Sequence, residues 1–269
     1  MRRLAVVALI SLSARADVFL FGGPGIGWHL VDAAGLVTRK LVLIGGKEAT
    51  DATVTRDGKR WAAAVSDGRP HLLTYADLDG PPIRDVELPG DVLDGLAFSD
   101  DGEWVYFSAN DEKQPRFDGQ SMRYAQLYRA HFSQGVDERL TMERGCHMWP
   151  RPTRTGLLNS HATCYGGRSL ELRARNGKVT TLVPSSETVG ESAVATDGRV
   201  FYFLPTTTGT QLVVRGGAGT TVWGETRINS MRTRPQWVDA ETIFFQNNHR
   251  LWRLRRGELF ELAVLWGKP

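Results

Sequence analysis

The chain has 269 residues, with 33 basic and 30 acidic side chains and a formal net charge of +3. So small an excess, without any block of like charges, argues against a nucleic-acid partner. Hydrophobic residues make up 41% of the chain and charged residues 23%, so a disordered chain is excluded too. The length suits one large all-β domain or two ordinary domains.

The N-terminus carries the features of a secretory signal peptide. A basic pair precedes an apolar run over residues 4–12, and residues 13–16 end in a small-x-small cleavage pattern. A membrane anchor is the alternative, but the run is about half of the ~20 residues that span a bilayer. We therefore predict a signal peptide over residues 1–16, a mature chain from Asp17, and a periplasmic or secreted protein without membrane insertion after signal removal.

A strand–turn–strand unit recurs along the rest of the chain. Runs of alternating apolar and polar residues flank an Asp-Gly type turn, which is typical of a tight β-hairpin. Successive turns are 44, 54, 42 and 43 residues apart, so the period is near 43 residues with one insertion. The turn positions are Asp57, Asp101, Thr155, Asp197 and Ala240.

Each unit continues with two further strands, and the third strand contains a polar residue followed by leucine, as in Gln126-Leu127. Four short strands in about 43 residues are typical of one blade of a β-propeller. The N-terminal piece, residues 18–44, has only three predicted strands, and His29-Leu30 matches the third strand of the other units. We therefore expect a first blade that lacks its inner strand.

The repeat predicts an all-β fold, a six-bladed β-propeller with four-stranded blades and an incomplete first blade. A single propeller domain would span residues 17–269, and the ring would close where residues 259–265 meet the first blade. The predicted blades span approximately residues 17–45, 48–90, 91–143, 144–187, 188–227 and 228–266.

The third unit contains the most regular copy of the repeat. Its inner strand ends in a Phe-Ser-x-Asp-Gly turn and its blade closes with a Leu-Thr step; the residues that carry the pattern are Phe98, Ser99, Asp101, Gly102, Phe107, Ser108, Leu127, Tyr128, Leu140 and Thr141. This pattern resembles the propeller repeat of the periplasmic TolB family. The resemblance covers the propeller without the N-terminal α/β domain of TolB, and it implies a fold and no particular activity.

The two cysteines flank the turn at residues 155–156 almost symmetrically. Cys146 lies nine residues before Thr155 and Cys164 eight after Gly156, so a hairpin would bring them within about one residue of register. In an exported protein this favours a disulfide. Metal binding with His147 and His161 is the alternative, but strand alternation sends adjacent residues to opposite faces. We predict the disulfide, no metal and no cofactor.

Candidate binding residues fall at one rim of the predicted channel. The inner strands begin at this rim, and the insertion of the third blade, residues 111–121, emerges there as well; long loops on a rigid scaffold often carry function. We call it the insertion rim, and the opposite rim, with the Asp-Gly type turns, the turn rim. The candidates are Asp51, Asp94, His147, Glu191 and Arg232 at the strand starts, Trp149, and Arg116 and Phe117 in the insertion.

These features predict a monomeric, non-catalytic binding or scaffold propeller that engages a protein, peptide or glycan at this rim. No catalytic residue is predicted, and the chain has no Gly-x-Ser-x-Gly elbow of the kind that hydrolases use. The alternative is an enzyme at the channel mouth, such as a metal-assisted polysaccharide lyase or hydrolase, with His147 and nearby carboxylates as its working groups.

Overall fold

The computed structural model describes residues 17–23, 27–41, 49–66, 70–77, 80–88, 90, 95–110, 124–135, 137–162, 167–185, 190–227, 233–247 and 249–264. The regular elements longer than one residue in these ranges are β-strands. No helix in this part of the chain is long and apolar enough to cross a membrane. The signal peptide predicted for residues 1–16 lies outside the described residues.

The strands form six antiparallel sheets, each a meander of consecutive strands, and the sheets are the blades of a propeller. Blade 1 contains β1 (Val18–Gly23), β2 (Gly27–Asp32) and β3 (Val37–Leu41). Blade 2 contains β4 (Ala49–Val54), β5 (Trp61–Ser66), β6 (Pro70–Tyr75) and β7 (Arg84–Glu87). Blade 3 contains β8 (Ala97–Phe98), β9 (Trp104–Asn110), β10 (Ala125–His131) and β11 (Asp137–Arg139).

The second half of the ring repeats the four-stranded pattern. Blade 4 contains β12 (Cys146–Pro152), β13 (Gly156–Ala162), β14 (Arg168–Ala174) and β15 (Val179–Val183). Blade 5 contains β16 (Ser192–Val194), β17 (Val200–Pro205), β18 (Thr210–Gly216) and β19 (Gly219–Thr226). Blade 6 contains β20 (Gln236–Asp239), β21 (Thr242–Asn247), β22 (Arg250–Arg255) and β23 (Glu258–Val264). The predicted six blades and the three-stranded first blade are confirmed.

The turn between the first two strands of a blade is set by local hydrogen bonds. In blade 2, Oδ1 of Asp57 accepts hydrogen bonds from the Thr55 hydroxyl at 2.7 Å and from the Lys59 N–H at 3.1 Å. Gly58 follows with φ of 71°, in the left-handed region that favours glycine. Blade 4 lacks the Asp-Gly pair, and there the Thr153 hydroxyl accepts the backbone N–H bonds of the turn.

Apolar side chains between neighbouring blades form the core, in five separate clusters. Burial of such surface contributes about 25 cal/mol per Å² to the free energy of unfolding. Among the described residues none of the five clusters lies between blades 3 and 4. Representative members are Trp28 and Trp61 (blades 1 and 2), Leu72 and Phe107 (blades 2 and 3), Leu158 and Tyr202 (blades 4 and 5), Phe203 and Phe245 (blades 5 and 6), and Phe19 and Phe244 (blades 6 and 1).

The ring closes through side chains, because no described sheet contains strands from both ends of the chain. The rings of Phe19 and Phe244 meet edge to face at 5.6 Å, and Leu262 packs against the same cluster. The Gln246 amide bonds to both backbone groups of Gly22, accepting from the N–H at 2.7 Å and donating to the carbonyl at 3.2 Å. A glutamine side chain thus supplies hydrogen bonds that an inner strand of blade 1 would otherwise make.

Candidate functional site

Four of the predicted rim residues lie in the described part of the chain, and all four are buried. Asp51 and His147 are 0% exposed, Glu191 is 2% exposed and Trp149 is 6% exposed. The other four candidates lie outside the described residues: Asp94, Arg116, Phe117 and Arg232.

One repeat position places a residue of each of blades 2 to 6 at a corresponding point of the ring. It lies six residues before each turn, and at this position Trp149 and Arg234 have positive φ values of 52° and 44°. Gly95, the occupant in blade 3, has a φ of 111°. The five occupants are Asp51, Gly95, Trp149, Glu191 and Arg234. His147 lies two residues before this position and belongs to another cluster.

Asp51 joins blade 2 to blades 3 and 6. Its Oδ2 accepts the backbone N–H groups of Gly95 at 2.6 Å and Leu96 at 2.9 Å. Its Oδ1 accepts the Ala52 N–H at 2.7 Å and a hydrogen bond from the Arg234 guanidinium. Both oxygens of this buried carboxylate are therefore occupied by donors.

Glu191 makes the corresponding connection from blade 5 to blade 6. Its Oε2 accepts the Arg234 N–H at 2.5 Å, and its Oε1 lies 3.9 Å from the Arg151 guanidinium. Arg151 also donates to the Gly95 carbonyl at 3.3 Å, so it links blade 4 to blade 3. We call Asp51, Arg151, Glu191 and Arg234 the channel quartet.

Arg234 reaches across the place where blade 1 has no inner strand among the described residues. Its guanidinium stacks over the Trp28 ring of blade 1, 4.5 Å from the ring centre, on its way to blade 2. There it donates to the Ala52 carbonyl at 3.3 Å as well as to Asp51. The side chain of blade 6 therefore bridges the gap between blades 6 and 2 at this position of the repeat.

The channel quartet is built to hold blades together. Two carboxylates and two guanidinium groups balance in charge, and pairing with hydrogen bonds is what makes buried charges tolerable. A carboxylate whose acceptor positions are filled by donors is poorly placed to act as a general base. Sequence reasoning missed Arg151 and Arg234; counting back six residues from the turn at Ala240 would have found Arg234.

A cavity of about 250 Å³ occupies the channel between the two rims. Toward the insertion rim it is bounded by Arg151 and Arg234 of the quartet, and toward the turn rim it reaches Arg56 and Asp100, which are exposed. Arg56 bridges the first blade on this rim too, because its guanidinium donates to the Trp237 carbonyl at 2.5 Å. All six blades contribute to the lining, through residues such as Leu20, Thr53, Phe98, Arg151, Val194 and Gln236.

His147 belongs to a polar cluster between blades 3 and 4. Its ring stacks on that of His161 with 4.5 Å between the ring centres. Nδ1 of His161 bonds to Oε1 of Glu171 at 2.8 Å, and Arg173 donates to Oε1 of Glu143 at 2.7 Å. The guanidinium of Arg173 also lies 3.4 Å from Nδ1 of His147, so this nitrogen accepts and the proton of the neutral ring sits on Nε2.

The two histidines titrate in opposite directions. Burial, reinforced by the positive charge of Arg173, lowers the pKa of His147 to about 4. The hydrogen bond to Glu171 raises the pKa of His161 above its ordinary value. Burial acts to raise the pKa of Glu143, but the hydrogen bond and the positive charge of Arg173, together with backbone hydrogen bonds from Glu143 and Met142, lower that pKa to about 2.

The predicted disulfide and the metal alternative involve this end of blade 4. The strand ladder pairs Cys146 with Ala162, because a bulge between Met148 and Arg151 shifts the register. The facing position is thus two residues short of Cys164, which lies outside the described residues, and the disulfide stays a prediction. The described residues contain no group of three or more His, Cys, Asp or Glu side chains that could hold a metal ion.

Comparisons with known proteins bear on the fold. No family model and no curated protein matches the sequence. Solved structures do match. TolB from Acinetobacter baumannii has a TM-score of 0.65 and 15% identity, and the match covers 92% of this chain and 61% of that one. A putative TolB from Agrobacterium tumefaciens has a TM-score of 0.59 and 14% identity, over 77% of this chain and 76% of that one. The chain folds as a TolB-like propeller.

Propellers of proteases resemble the TolB-like propeller as well. The propeller domain of the Trilobed protease from Pyrococcus furiosus, described as having an open velcro topology, has a TM-score of 0.59 and 11% identity, over 91% of this chain and 77% of that one. At these identities the likeness shows the fold alone. The TolB-like propeller spans 61% of the length of the Acinetobacter baumannii protein.

Proposed function

We propose that this TolB-like propeller is an exported, monomeric, non-catalytic binding protein that holds a segment of a protein partner at the turn-rim mouth of its channel. One observation carries the proposal. Toward the insertion rim the channel cavity is bounded by Arg151 and Arg234, two half-buried side chains that pair with the buried carboxylates of Glu191 and Asp51. At the turn rim the cavity reaches exposed Arg56 and Asp100. A ligand that enters from the turn rim therefore meets a preformed and rigid recess.

The charges at the mouth favour a polypeptide over a glycan. Arg56 and Asp100 carry opposite charges. Arg56 lies 3.5 Å from the Asp17 carboxylate, whereas Asp100 makes no hydrogen bond or ion pair within the described part of the chain. Such a mouth suits the mixed polar groups of a polypeptide. The features of residues 1–16 support export, and the likeness to TolB propellers agrees with a location outside the cytoplasm.

The insertion rim has a different role in this proposal. Asp51 and Glu191 were predicted to bind the ligand at this rim, but their carboxylate oxygens accept hydrogen bonds from neighbouring blades. Their contribution to binding is indirect, because they fix the spacing of the inner strands that line the channel. No described arrangement pairs a nucleophile with a base in the channel, and no observation favours the enzyme alternative.

Photocrosslinking in cells that produce the full chain tests the proposal. A photoreactive amino acid replaces Asp100, and discrete adducts with one partner protein are expected. Thr53 lines the channel, so Thr53→Trp fills the recess and should lower adduct yield by about tenfold or more. The matched control is Thr220→Trp on the exposed outer strand of blade 5, which should leave the yield unchanged.

Two results would contradict the proposal. One is an adduct that persists in Thr53→Trp although thermal melting shows that the variant is folded. The other is an equal loss of adduct in Thr53→Trp and Thr220→Trp, because the loss would then have no connection with the channel.

A further inference from the structure

A groove between blades 3 and 4 runs outward from the channel mouth on the turn rim. Its volume is about 740 Å³, within the range of about 300–1,000 Å³ that is common for ligand sites. Ser99 and Asp100 line both this groove and the channel, so the two cavities adjoin at these residues. The side chains that give the groove its character are Trp104, Tyr106, Arg129, Arg154, Arg173 and Arg175.

The groove lies along the one blade interface that has no apolar cluster among the described residues. Polar groups join the two blades there: the Trp149 N–H donates to the Ser108 hydroxyl at 3.2 Å, and the Gln126 amide donates to the Gly145 carbonyl at 3.1 Å. The polar side chains of Glu171 and Arg173 lie beside this contact on blade 4. Arg173 belongs to this interface and to the groove lining, so it forms the floor between them. Its guanidinium is held by Glu143 at 2.7 Å. Glu171 lies 3.6 Å from the same guanidinium, so the floor of the groove is fixed and its charge is compensated.

The carboxylates that line the groove are largely engaged by local partners. Asp101 accepts the Ser99 hydroxyl at 2.5 Å and the Glu103 N–H at 3.0 Å. Glu138 pairs with Arg129, whose Nε donates at 2.8 Å. Asp100 is the exception and lies at the channel end of the groove. Negative charge inside the groove is thus mostly compensated before any ligand arrives.

Two of the arginines have no such engagement. Arg154 and Arg175 are exposed, and within the described part of the chain neither makes a hydrogen bond or an ion pair. A guanidinium group can bind a carboxylate through two parallel hydrogen bonds. Two unengaged arginines against one unengaged carboxylate favour a negatively charged ligand.

One wall of the groove is aromatic. Trp104 is half-buried, and the Arg129 guanidinium stacks over it at 4.2 Å from the ring centre. The contact with Arg129 and the pairing of Arg129 with Glu138 fix the orientation of this wall. Apolar surface is available beside it from Leu140 and Leu157. The wall can accept apolar side chains that alternate with charged ones, as they do along an extended strand.

We propose that this groove binds an acidic, extended polypeptide segment, whose carboxylates pair with Arg154 and Arg175 and whose apolar side chains rest against Trp104. The inference rests on the proposed function, because the segment would belong to the same partner that enters the channel beside Asp100. It adds the chemistry of the partner, an acidic strand-like segment, and the direction in which the partner leaves the channel.

Fluorescence anisotropy with synthetic probes tests the proposal. The probes are rhodamine-labelled peptides of about six residues, the length of a typical strand, in which leucine alternates with aspartate, asparagine or lysine. The aspartate peptide should bind tightest, and its affinity should fall as ionic strength rises from about 10 to 150 mM, because salt screens exposed charges.

Charge-reversal variants assign the binding to the groove. Arg154→Glu and Arg175→Glu should each weaken binding of the aspartate peptide about tenfold, as expected for the loss of one charge-assisted pair. The matched control is the double variant Arg227→Glu and Arg255→Glu, which changes the net charge of the protein by the same amount as the double groove variant. Arg227 and Arg255 are exposed and line none of the described cavities, so this control should bind normally.

Several outcomes would overturn the proposal. They are equal binding of all three peptides, no binding of any of them, an equal effect of the control variant, or competition by an anionic oligosaccharide at lower concentration than the peptide. The proposed function is judged separately by Thr53→Trp and the native partner. If Thr53→Trp abolishes the adduct while the groove variants leave binding of the aspartate peptide unchanged, the proposed channel function is supported and the proposed binding of an acidic segment in the groove is wrong.

Discussion

Two interfaces of the same ring are built from opposite kinds of side chain. Between blades 5 and 6, the rings of Phe203 and Phe245 meet edge to face at 5.4 Å in a buried apolar cluster that includes Trp237. Between blades 3 and 4, the equivalent space contains the stacked His147 and His161 with their charged neighbours. The same repeat therefore accommodates both kinds of interface. We call the interface of blades 5 and 6 the apolar joint and the interface of blades 3 and 4 the polar joint.

The two interfaces differ in what stabilises them. Apolar burial is non-directional and strong, whereas a polar joint stabilises only if its groups find partners. Five buried polar atoms at the interface of blades 3 and 4 have no hydrogen-bond partner among the described residues: Gln126 Oε1, His147 Nε2, Asn159 Oδ1, His161 Nε2 and Arg173 Nε. We infer that the interface of blades 3 and 4 adds less stability than that of blades 5 and 6, and it is also the interface beside which a large groove remains open.

The largest effect is expected in the apolar joint. Phe245 is fully buried, so Phe245→Ala should lower the free energy of unfolding by about 3–5 kcal/mol through lost burial and a new cavity. Urea unfolding monitored by tryptophan fluorescence measures the change. Phe260→Ala is the matched control, because Phe260 is 39% exposed and should lose about 1 kcal/mol or less. Similar losses in both variants would contradict the apolar account of this joint.

The polar joint should weaken in acid. The pKa of His147 is about 4 in the folded protein and 6.5 in an ordinary peptide, so the unfolded chain binds the extra proton between these values. Stability should therefore fall as the pH falls from about 6.5 to 4, by about 3 kcal/mol from this residue. Glu143 and Glu171, whose pKa values are lowered, act in the same direction at lower pH. His161, with its raised pKa, acts in the opposite direction, since its contribution is lost as the pH rises.

Urea unfolding at pH 7 and pH 4.5 isolates the contribution of His147. In His147→Asn the difference in unfolding free energy between the two pH values should shrink by about 2 kcal/mol, whatever the variant does to stability at either pH. Hydrogen exchange at pH 4.5 should show protection lost in β12 and β13 before β17 and β21. An unchanged pH dependence in the variant, or uniform loss of protection, would refute this assignment.

The smallest effect tests the joint of blades 6 and 1, which combines both kinds of contact. Gln246→Leu removes both hydrogen bonds to Gly22 and should cost about 1–3 kcal/mol, because two buried backbone groups lose their partners. Gln211→Leu is the control, since Gln211 bonds to Glu225 on the exposed face of blade 5. If the two variants lose equal stability, the glutamine is not what joins the ends of the ring.

Much of the fold could be predicted, because it depends on local signals that recur. The spacing of turns such as Asp57 and Asp197 predicted the blades, and the three strands of residues 18–44 predicted the short first blade. The bulge between Met148 and Arg151 could not be read in this way. Pro150 lies in the bulge and is a local signal for an irregular strand, but it does not specify the size of the shift in register.

The candidate site was predicted only in part, for a related reason. Asp51 and Glu191 were recognised as polar residues at strand starts, but what they do is decided by groups far away in the chain. The partner of Asp51 in blade 6 is 183 residues distant, and its partner in blade 3 is 44 residues distant. Local pattern reveals the repeat position and leaves open whether its occupant faces solvent or a neighbouring blade.

The repeat position of Asp51, Gly95, Trp149, Glu191 and Arg234 has a consequence for how the protein can be rebuilt or can diverge. The Asp51 carboxylate accepts hydrogen bonds from the backbone N–H of Gly95 on one side and from Arg234 on the other. Any other residue in place of Gly95 would put its Cβ 2.7 Å from the Trp149 Cα. The residue at this position in one blade therefore fits only the residue at the same position in the neighbouring blade. Although the blades share one architecture, exchanging or duplicating blades 2 to 6 would separate these matched residues, so the cyclic order of the blades is itself encoded at this position of the repeat.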